Sequence, residues 1–241
     1  MMNQMLDFIK QMSGKFTDMN PVSSQTDARK IALIRNMQKE LRQKDILYIP
    51  LRQLPVAVFD LETTGFYPYQ GDRILSIGAV KMTGAEIHWE QLFYKTVYNA
   101  LPPSEDITEL TGLTAWELTQ ASPLLDVLRD FYRFVRNDPL VAHHSSHEKQ
   151  FMQHASWHVT RKNFQHRIMD TNVLTKAVTP NLSHISLDDW CQHYQIPVKR
   201  RHHALYDAAA TASLWAKNIE QAEQLGFDHL KDVYNYLANH S

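Results

Sequence analysis

Hydrophobic and polar positions divide the chain into a helix-forming segment and a longer region that begins with strands. Within 27–44, apolar residues recur every three or four positions, which predicts one amphipathic helix. From Pro55 onward the pattern changes to β-rich runs at 56–60, 74–82 and 86–97. The last two runs flank Thr83-Gly84, so we expect a hairpin that follows a first strand.

Further along, helical stripes alternate with short strand-like runs. The stripes lie at 124–135, 148–157, 187–194 and 204–219, and the short runs at 140–142 and 168–171. Three strands followed by alternating helix and strand predict an α/β domain built around a mixed sheet. We therefore divide the chain into a basic N-terminal helical extension, 1–54, and a main domain, 55–241.

Charge is distributed unevenly between these two parts. Up to Leu54 the chain has nine Lys and Arg against five Asp and Glu, whereas the rest has 16 against 21. The apolar stripe of the predicted helix needs a packing partner. Two alternatives follow: the helix docks on the main domain, or it presents Arg35, Lys39 and Arg42 to nucleic acid or a partner protein.

Composition limits the setting of the protein. The single Cys191 excludes a disulfide within the chain and is typical of a reducing environment. The first residues lack the continuous apolar stretch of a signal peptide, and no run is long enough to span a bilayer. We expect a cytoplasmic protein with no membrane association.

Two carboxylates end the first predicted strand. Asp60 and Glu62 are two positions apart, so their side chains point to the same face. Because the preceding Val-Ala-Val-Phe run indicates a buried strand, these carboxylates require partners or a cation. Thr63, Thr64 and Gly65 then open the chain into a loop that can reach a ligand.

The segment Phe59-Asp-Leu-Glu-Thr-Thr-Gly65 resembles the first exonuclease motif of the DnaQ-like (DEDDh) superfamily. Ile107–Thr114 is similar to the segment that follows the third strand in that family, and the resemblance covers about residues 55–220. It implies a ribonuclease H-like fold, with a five-stranded mixed sheet whose first three strands are antiparallel, flanked by helices. The N-terminal extension lies outside it.

Residues 141–152 align with the second family motif, with one departure. Glu148 stands where the family has Asp, which keeps the charge but lengthens the side chain. His144 stands where Asn is usual, and His147 where an aromatic residue is usual. Glu148 has an alternative interpretation as a first-turn acid favoured by the helix dipole.

Residues 201–209 match the third motif, in which His and Asp are five positions apart. His202 and Asp207 have this spacing, although His203 is a neighbouring candidate for the general base. Lys199, Arg200 and Arg201 form a basic cluster that either contacts phosphate or belongs to a solvated loop. Asp170 and the pair Asp188 and Asp189 are interpreted as structural, the last two as helix-capping acids.

The resemblance implies a two-metal hydrolase. Asp60 would bridge two Mg²⁺ or Mn²⁺ ions, Glu62 and Asp207 would each complete one, and Glu148 would hold the second through water. His202 would be the general base, and since this role needs a neutral imidazole, we expect activity to rise between about pH 6 and pH 8.

The substrate implied by the resemblance is nucleic acid with a free 3′ end, DNA in preference to RNA, cut to nucleoside 5′-monophosphates. Thr63, Thr64, Phe66 and His144 would bind the terminal nucleotide, with Phe66 offering a stacking face. A DNA polymerase or a repair protein is a possible partner.

Two other functions compete with this interpretation. The Glu148 departure is compatible with an inactive accessory module that binds nucleic acid or a polymerase. His147, His154 and His158 share a helical face, which leaves open a histidine-based metallohydrolase, although no HExxH motif is present.

Overall fold

The computed structural model describes residues 25–40, 45–182 and 186–240. Most of the segment 1–26, which the sequence predicts to be irregular, and the predicted end of the first helix, including Arg42, lie outside these ranges, and the side chain of Lys39 is likewise not described. No helix among the described residues has the length and apolar character needed to cross a membrane.

A five-stranded mixed sheet forms the centre of the molecule. Its strands are β1 Pro55–Thr63, β2 Ile74–Thr83, β3 Glu86–Thr96, β4 Leu140–Ala142 and β5 Ile168–Asp170, in the order β3-β2-β1-β4-β5. The β1–β2 and β2–β3 pairs are antiparallel, whereas β1–β4 and β4–β5 are parallel. The predicted fold class is confirmed.

Helices cover both faces of this sheet. They are α1 Gln25–Glu40, α2 Glu105–Thr111, α3 Ala115–Gln120, α4 Leu124–Val135, α5 Ser146–Thr160, α6 Asn172–Val178, α7 Leu187–His193, α8 Ala204–Gln224 and α9 Leu230–His240. The predicted stripes correspond to α1, α4, α5, α7 and α8. No helix was predicted for α2, α3, α6 or α9.

The alternation of side chains along β1 explains why the sheet has two apolar layers. Phe59 and Leu61 point into a core with α1, α4 and α5, whereas Val56 and Val58 point into a core with α6, α8 and α9. Asp60 and Glu62 continue the second face beyond its apolar part. The strand therefore delivers both carboxylates to the side of the sheet that α8 covers.

Helix α1 packs on the main domain. Ile34 is fully buried in the core formed with α4 and α5. The Arg35 guanidinium donates to the carbonyl oxygen of Thr160 at 2.6 Å, so this cation is engaged within the fold. The docking alternative accounts for these contacts, while the division into two domains at residue 54 stays a prediction.

Candidate active site

Three carboxylates meet at the junction of β1 and α8. Asp60 and Glu62 come from the end of β1, and Asp207 from the first turn of α8. One ligand oxygen from each of the three lies within 4.8 Å of the others. Residues that are about 145 positions apart along the chain are thus brought together by the packing of one helix start on one strand end.

Gly78 permits this packing. It pairs with Asp60 on one side and with Tyr94 on the other, so these three positions form a row across the sheet. A Cβ atom at Gly78 would lie 2.2 Å from the backbone of Ala204 and Leu205. Because the glycine has no side chain, the start of α8 can lie directly on the sheet beside Asp60.

Mutual repulsion and burial dominate the electrostatics of the cluster. Burial raises the pKa of Glu62 to about 8, and the charge of Asp207 adds to this rise. Burial also raises the pKa of Asp60 well above its usual value, with further contributions from Glu148 and Glu62. A site that destabilises its own ionised carboxylates favours a bound cation.

Glu148 lies beside this trio, in the first turn of α5. Its side chain is buried, and its Oε2 atom has no hydrogen-bond partner. Burial raises its pKa to about 8, and Asp170 and Glu62 contribute through their charges. A buried carboxylate oxygen without a donor is a costly feature unless it serves a ligand, so Glu148 fits an oxygen-ligated metal site.

Asp170 has a structural role in holding this region together. Its two carboxylate oxygens accept from the backbone N–H groups of Ser145, at 2.6 Å, and Asn172, at 2.9 Å. Ser145 immediately precedes α5, so Asp170 fixes the start of the helix that carries Glu148.

Arg201 contacts the site directly. Its guanidinium forms ion pairs with Asp207 and with Asp188. Neither of the two interpretations offered for the basic cluster describes this residue, because it is bound to carboxylates. Only the assembled fold shows the contact, since Asp207 and Asp188 lie on different helices.

The two neighbouring histidines have different environments. The backbone N–H of His202, at a left-handed φ of 56°, donates to Asp207 at 3.0 Å. The ring of His203 stacks on Tyr94 with centroids 4.4 Å apart and also contacts Tyr206. Burial lowers the pKa of His203, and the charge of Arg200 adds to this effect. His203 therefore packs as an aromatic ring between two tyrosines.

The sequence of this region matches a known nuclease family. A family model described as exonuclease, the RNase T family, matches residues 57–215. The chain belongs to this exonuclease family. The match includes all four acidic residues of the candidate site, and it confirms the predicted DnaQ-like nuclease class.

Relatives of this exonuclease domain include much longer proteins. The chain is 30% identical over 184 residues to the DNA polymerase III PolC-type of Oceanobacillus iheyensis, covering 76% of this chain and 13% of that protein. It is 29% identical over 193 residues to a DNA polymerase III subunit epsilon-like protein of Rhodobacter capsulatus, covering 79% and 27% respectively. The chain thus spans only a small part of the length of these relatives.

Solved structures show the same fold. Exonuclease X, in complex with 5′ overhanging duplex DNA, has a TM-score of 0.56 and 20% identity, with 74% of this chain and 98% of that chain covered. A structure of exonuclease I has a TM-score of 0.58 and 15% identity, with 78% and 44% covered.

The loop after β1 in this exonuclease is held by Asp72. The Thr64 hydroxyl donates to Asp72 at 2.9 Å, and the N–H of Tyr67 donates to the same carboxylate at 2.9 Å. The Thr63 hydroxyl donates to the carbonyl of Gly65 at 2.7 Å. Both threonine hydroxyls therefore shape the loop, and their predicted contacts with substrate stay predictions.

Phe66 and His147 face each other across the mouth of the site. Phe66 is 74% exposed, and its ring lies 5.7 Å from that of His147, which also contacts Phe151. His147 thus takes the place of the usual aromatic residue by packing as one. His144 is exposed, with its ring 4.2 Å from that of His143.

The histidine-based alternative finds no support in the part of the chain that the structure describes. There, Asp60, Glu62 and Asp207 are the only group of three or more His, Cys, Asp or Glu residues with ligand atoms close enough for one metal ion. His154 and His158 contact each other as stacked rings, with centroids 6.4 Å apart.

Proposed function

We propose that this exonuclease domain removes nucleotides from the 3′ end of DNA, using two Mg²⁺ or Mn²⁺ ions, and releases nucleoside 5′-monophosphates. The observation that supports this proposal is the meeting of Asp60, Glu62 and Asp207 within 4.8 Å, with the unpartnered oxygen of Glu148 beside them. Oxygen ligands from four carboxylates suit a hard divalent cation.

Each carboxylate has a place in this mechanism. Asp60 would contact both ions, Glu62 and Asp207 one each, and Glu148 would act through water. When bound, the ions would supply charge neutralisation at the phosphoryl group, activation of the attacking water and stabilisation of the leaving 3′ oxygen. The end of β1 and the first turn of α8 would hold the three carboxylates of Asp60, Glu62 and Asp207 at fixed distances from one another.

His202 would accept a proton from the attacking water at its imidazole. The hydrogen bond from its backbone to Asp207 ties the base to a metal ligand. His203, the rival candidate, is stacked between Tyr94 and Tyr206, which supports His202 in this role. The predicted rise of activity between about pH 6 and pH 8 checks this assignment, and a flat profile there contradicts it.

The terminal nucleotide would lie between the loop after β1 and the start of α5. Phe66 offers an exposed ring on which a base can stack, and the edge of the His147 ring contacts it, with ring centroids 5.7 Å apart. Thr63, Thr64 and His144 would line the same region, and their backbone and side-chain polar groups would orient the sugar.

DNA is the proposed substrate because relatives of the chain are named DNA polymerase III, and exonuclease X was solved with DNA. One similar structure is instead a 3′-exonuclease that recognises a histone mRNA stem-loop. Digestion of matched DNA and RNA strands decides this point, since discrimination depends on contacts with the 2′ position. Faster cleavage of the RNA strand contradicts the DNA preference.

A 5′-labelled oligonucleotide incubated with Mg²⁺ or Mn²⁺ tests direction and metal dependence together. We expect a ladder that shortens from the 3′ end one nucleotide at a time, no reaction with EDTA, and a stop at a 3′-terminal phosphorothioate linkage. Immediate release of the labelled 5′ nucleotide contradicts the proposed direction.

An accessory module that binds nucleic acid without turnover is the second candidate. The contact of Arg201 with Asp207 favours it, because this guanidinium already neutralises one ligand of the site. Under this alternative, the protein binds the labelled strand and leaves it intact in both Mg²⁺ and Mn²⁺. Release of mononucleotides excludes it.

A further inference from the structure

A cleft of about 380 Å³ opens beside the start of α8. We call it the Trp116 cleft. Its walls are β3, the turn between α2 and α3, and the loop before α8; the lining residues used below are Tyr94, Thr96, Trp116, Arg200 and His203. The proposed mechanism gives none of these residues a catalytic role, although the sequence offered Arg200 as a phosphate contact and His203 as a rival general base.

Sheet register places the Trp116 cleft next to the catalytic cluster. Glu62 pairs with Ser76, which pairs with Thr96, so Glu62 and Thr96 lie on the same face two strands apart. Two strand spacings correspond to about 9–10 Å. The row of Asp60, Gly78 and Tyr94 has the same geometry. The cleft wall formed by Tyr94 and Thr96 therefore lies next to the carboxylate cluster on the same face of the sheet.

Arg200 is the cation of the Trp116 cleft. Its Nη2 atom donates to the carbonyl of Thr111 at 3.0 Å, which anchors the guanidinium against the end of α2. A guanidinium has five N–H donors, so this single anchor leaves others for a ligand. Arg200 is also close enough to Glu62 for its charge to oppose the rise in the pKa of that carboxyl.

Gly112 is required for this placement of Arg200. It ends α2 at a left-handed φ of 70°, and a Cβ atom there would lie 1.8 Å from Nη2 of Arg200. The glycine therefore allows the end of the helix to turn and leaves room for the guanidinium. The conformation of the backbone and the position of the cation depend on the same residue.

Trp116 supplies a flat apolar surface at the rim. It is 73% exposed on the first turn of α3, which a Thr114–Glu117 capping box stabilises. Proteins that bind single-stranded nucleic acid use the same combination: an aromatic side chain stacks on a base, and a cation contacts a phosphate. The exposed indole and the anchored arginine supply these two groups. The carboxylate of Glu117 also lines the cleft, but it accepts from the backbone and hydroxyl of Thr114.

We infer that the Trp116 cleft is a second nucleotide subsite, which binds the nucleotide on the 5′ side of the scissile bond. Trp116 stacks on its base, and Arg200 contacts its 5′ phosphate. The stacked pair of Tyr94 and His203 separates this subsite from the carboxylates. This inference rests on the proposed exonuclease function and adds a determinant of substrate length to it.

Three small substrates test the inference. Thymidine 5′-monophosphate p-nitrophenyl ester has only the terminal nucleotide, a dinucleotide adds the second one, and a 5′-phosphorylated dinucleotide adds the phosphate. For the wild type we expect KM to fall along this series. Inactivity on all three contradicts the proposed function, whereas activity with equal KM values overturns the subsite alone.

Variants assign the two contacts. Trp116→Ala should raise KM for the dinucleotide about 5- to 100-fold more than for the ester, the fold-change expected for one stacked base. Trp116→Phe should restore most of the affinity. Arg200→Gln should abolish the advantage of the 5′ phosphate. The matched control is Trp89→Ala, because Trp89 is also an exposed tryptophan but lies on β3, outside the cleft. We expect this variant to leave kcat and KM unchanged for all three substrates. Equal losses on the ester and the dinucleotides overturn the inference.

Discussion

Two clusters of charged residues in this protein have opposite electrostatics. On α4, Asp126 and Asp130 are surrounded by cations: Arg129 bridges both, Lys95 of β3 contacts Asp130 at 2.5 Å, and Lys30 of α1 contacts Asp126 at 2.6 Å. At the end of β1, Asp60 and Glu62 face other carboxylates, and Arg201 forms an ion pair with Asp207.

The pKa values of the carboxyls follow this difference. Hydrogen bonding from Arg129 and Lys95 lowers the pKa of Asp130 to about 2, whereas burial and neighbouring charges raise the pKa of Glu62 to about 8. The first cluster stabilises the fold by joining α1, α4 and β3. The second is unfavourable by itself, which is the property expected of a site prepared for a cation.

The largest expected effect is on exonuclease activity, which a substitution in the β1 cluster should lower and a substitution in the α4 cluster should not. Asp60→Asn removes the oxygen that both ions would share, so we expect a loss of kcat/KM on the order of 10³-fold. Asp130→Asn, the matched change in the paired cluster, should leave kcat/KM within about twofold. Degradation of a fluorescent oligonucleotide in Mg²⁺ measures both. Near-normal activity of Asp60→Asn contradicts the assignment.

Two substitutions of Glu148 separate the effect of its charge from the effect of its side-chain length. Glu148→Asp restores the usual family residue and should preserve or raise activity, because the carboxylate remains beside the trio. Glu148→Gln removes the charge and should lower activity about 10- to 100-fold, as expected for a group that acts through water. Initial rates at saturating Mg²⁺ measure these effects. A large loss in Glu148→Asp would show that the longer side chain has its own required geometry.

Metal binding should oppose the loss of stability that the carboxylate cluster causes at high pH. The folded-state pKa values of Glu62 and Glu148 lie near 8, above the unfolded value of 4.5, so without metal their stabilising contribution is lost as pH rises through this range. Mg²⁺ binds the ionised carboxylates, so at higher pH it has to displace fewer protons from Glu62 and Glu148. We therefore expect Mg²⁺ to raise Tm by about 2–4 °C more at pH 8 than at pH 6.

Differential scanning fluorimetry without substrate measures this shift. Asp60→Asn provides the control, since it should reduce the Mg²⁺ effect at both pH values. A Tm increase that is the same at pH 6 and pH 8 in the wild type would falsify the electrostatic description of the cluster.

The smallest effect concerns the paired cluster. The folded pKa of Asp130, about 2, is below its unfolded value of 3.8, so its contribution is present above pH 4 and is lost as pH falls towards 2. With allowance for solvent screening, this contribution is about 1 kcal/mol or less. Urea unfolding at pH 5 and pH 3 should show a steeper loss for wild type than for Asp130→Asn. Parallel losses in the two proteins would remove Asp130 from this role.

Local patterns in the sequence predicted much of the fold. The sheet, the helices α4 and α8, and the capping role of Asp189 at the start of α7 all follow from periodicity and end signals over a few residues. Asp188, predicted to cap the same helix, is instead paired with Arg201. The 11-residue α9 went unpredicted, and so did the short helices α2, α3 and α6. Pieces this short depend on caps and on packing against the rest of the protein, and these contributions are weak or absent in a periodic pattern.

The sequence by itself determined which residues are candidates for the chemistry: Asp60 and Glu62 share a face because β-strand side chains alternate, and His202 and Asp207 keep a fixed spacing. Tertiary structure decided how these residues meet. Gly78 lets α8 lie on the sheet, Arg201 reaches Asp207, and His203 stacks on Tyr94. Such contacts join distant segments through packing, and their geometry depends on the whole assembled core, which no local spacing encodes.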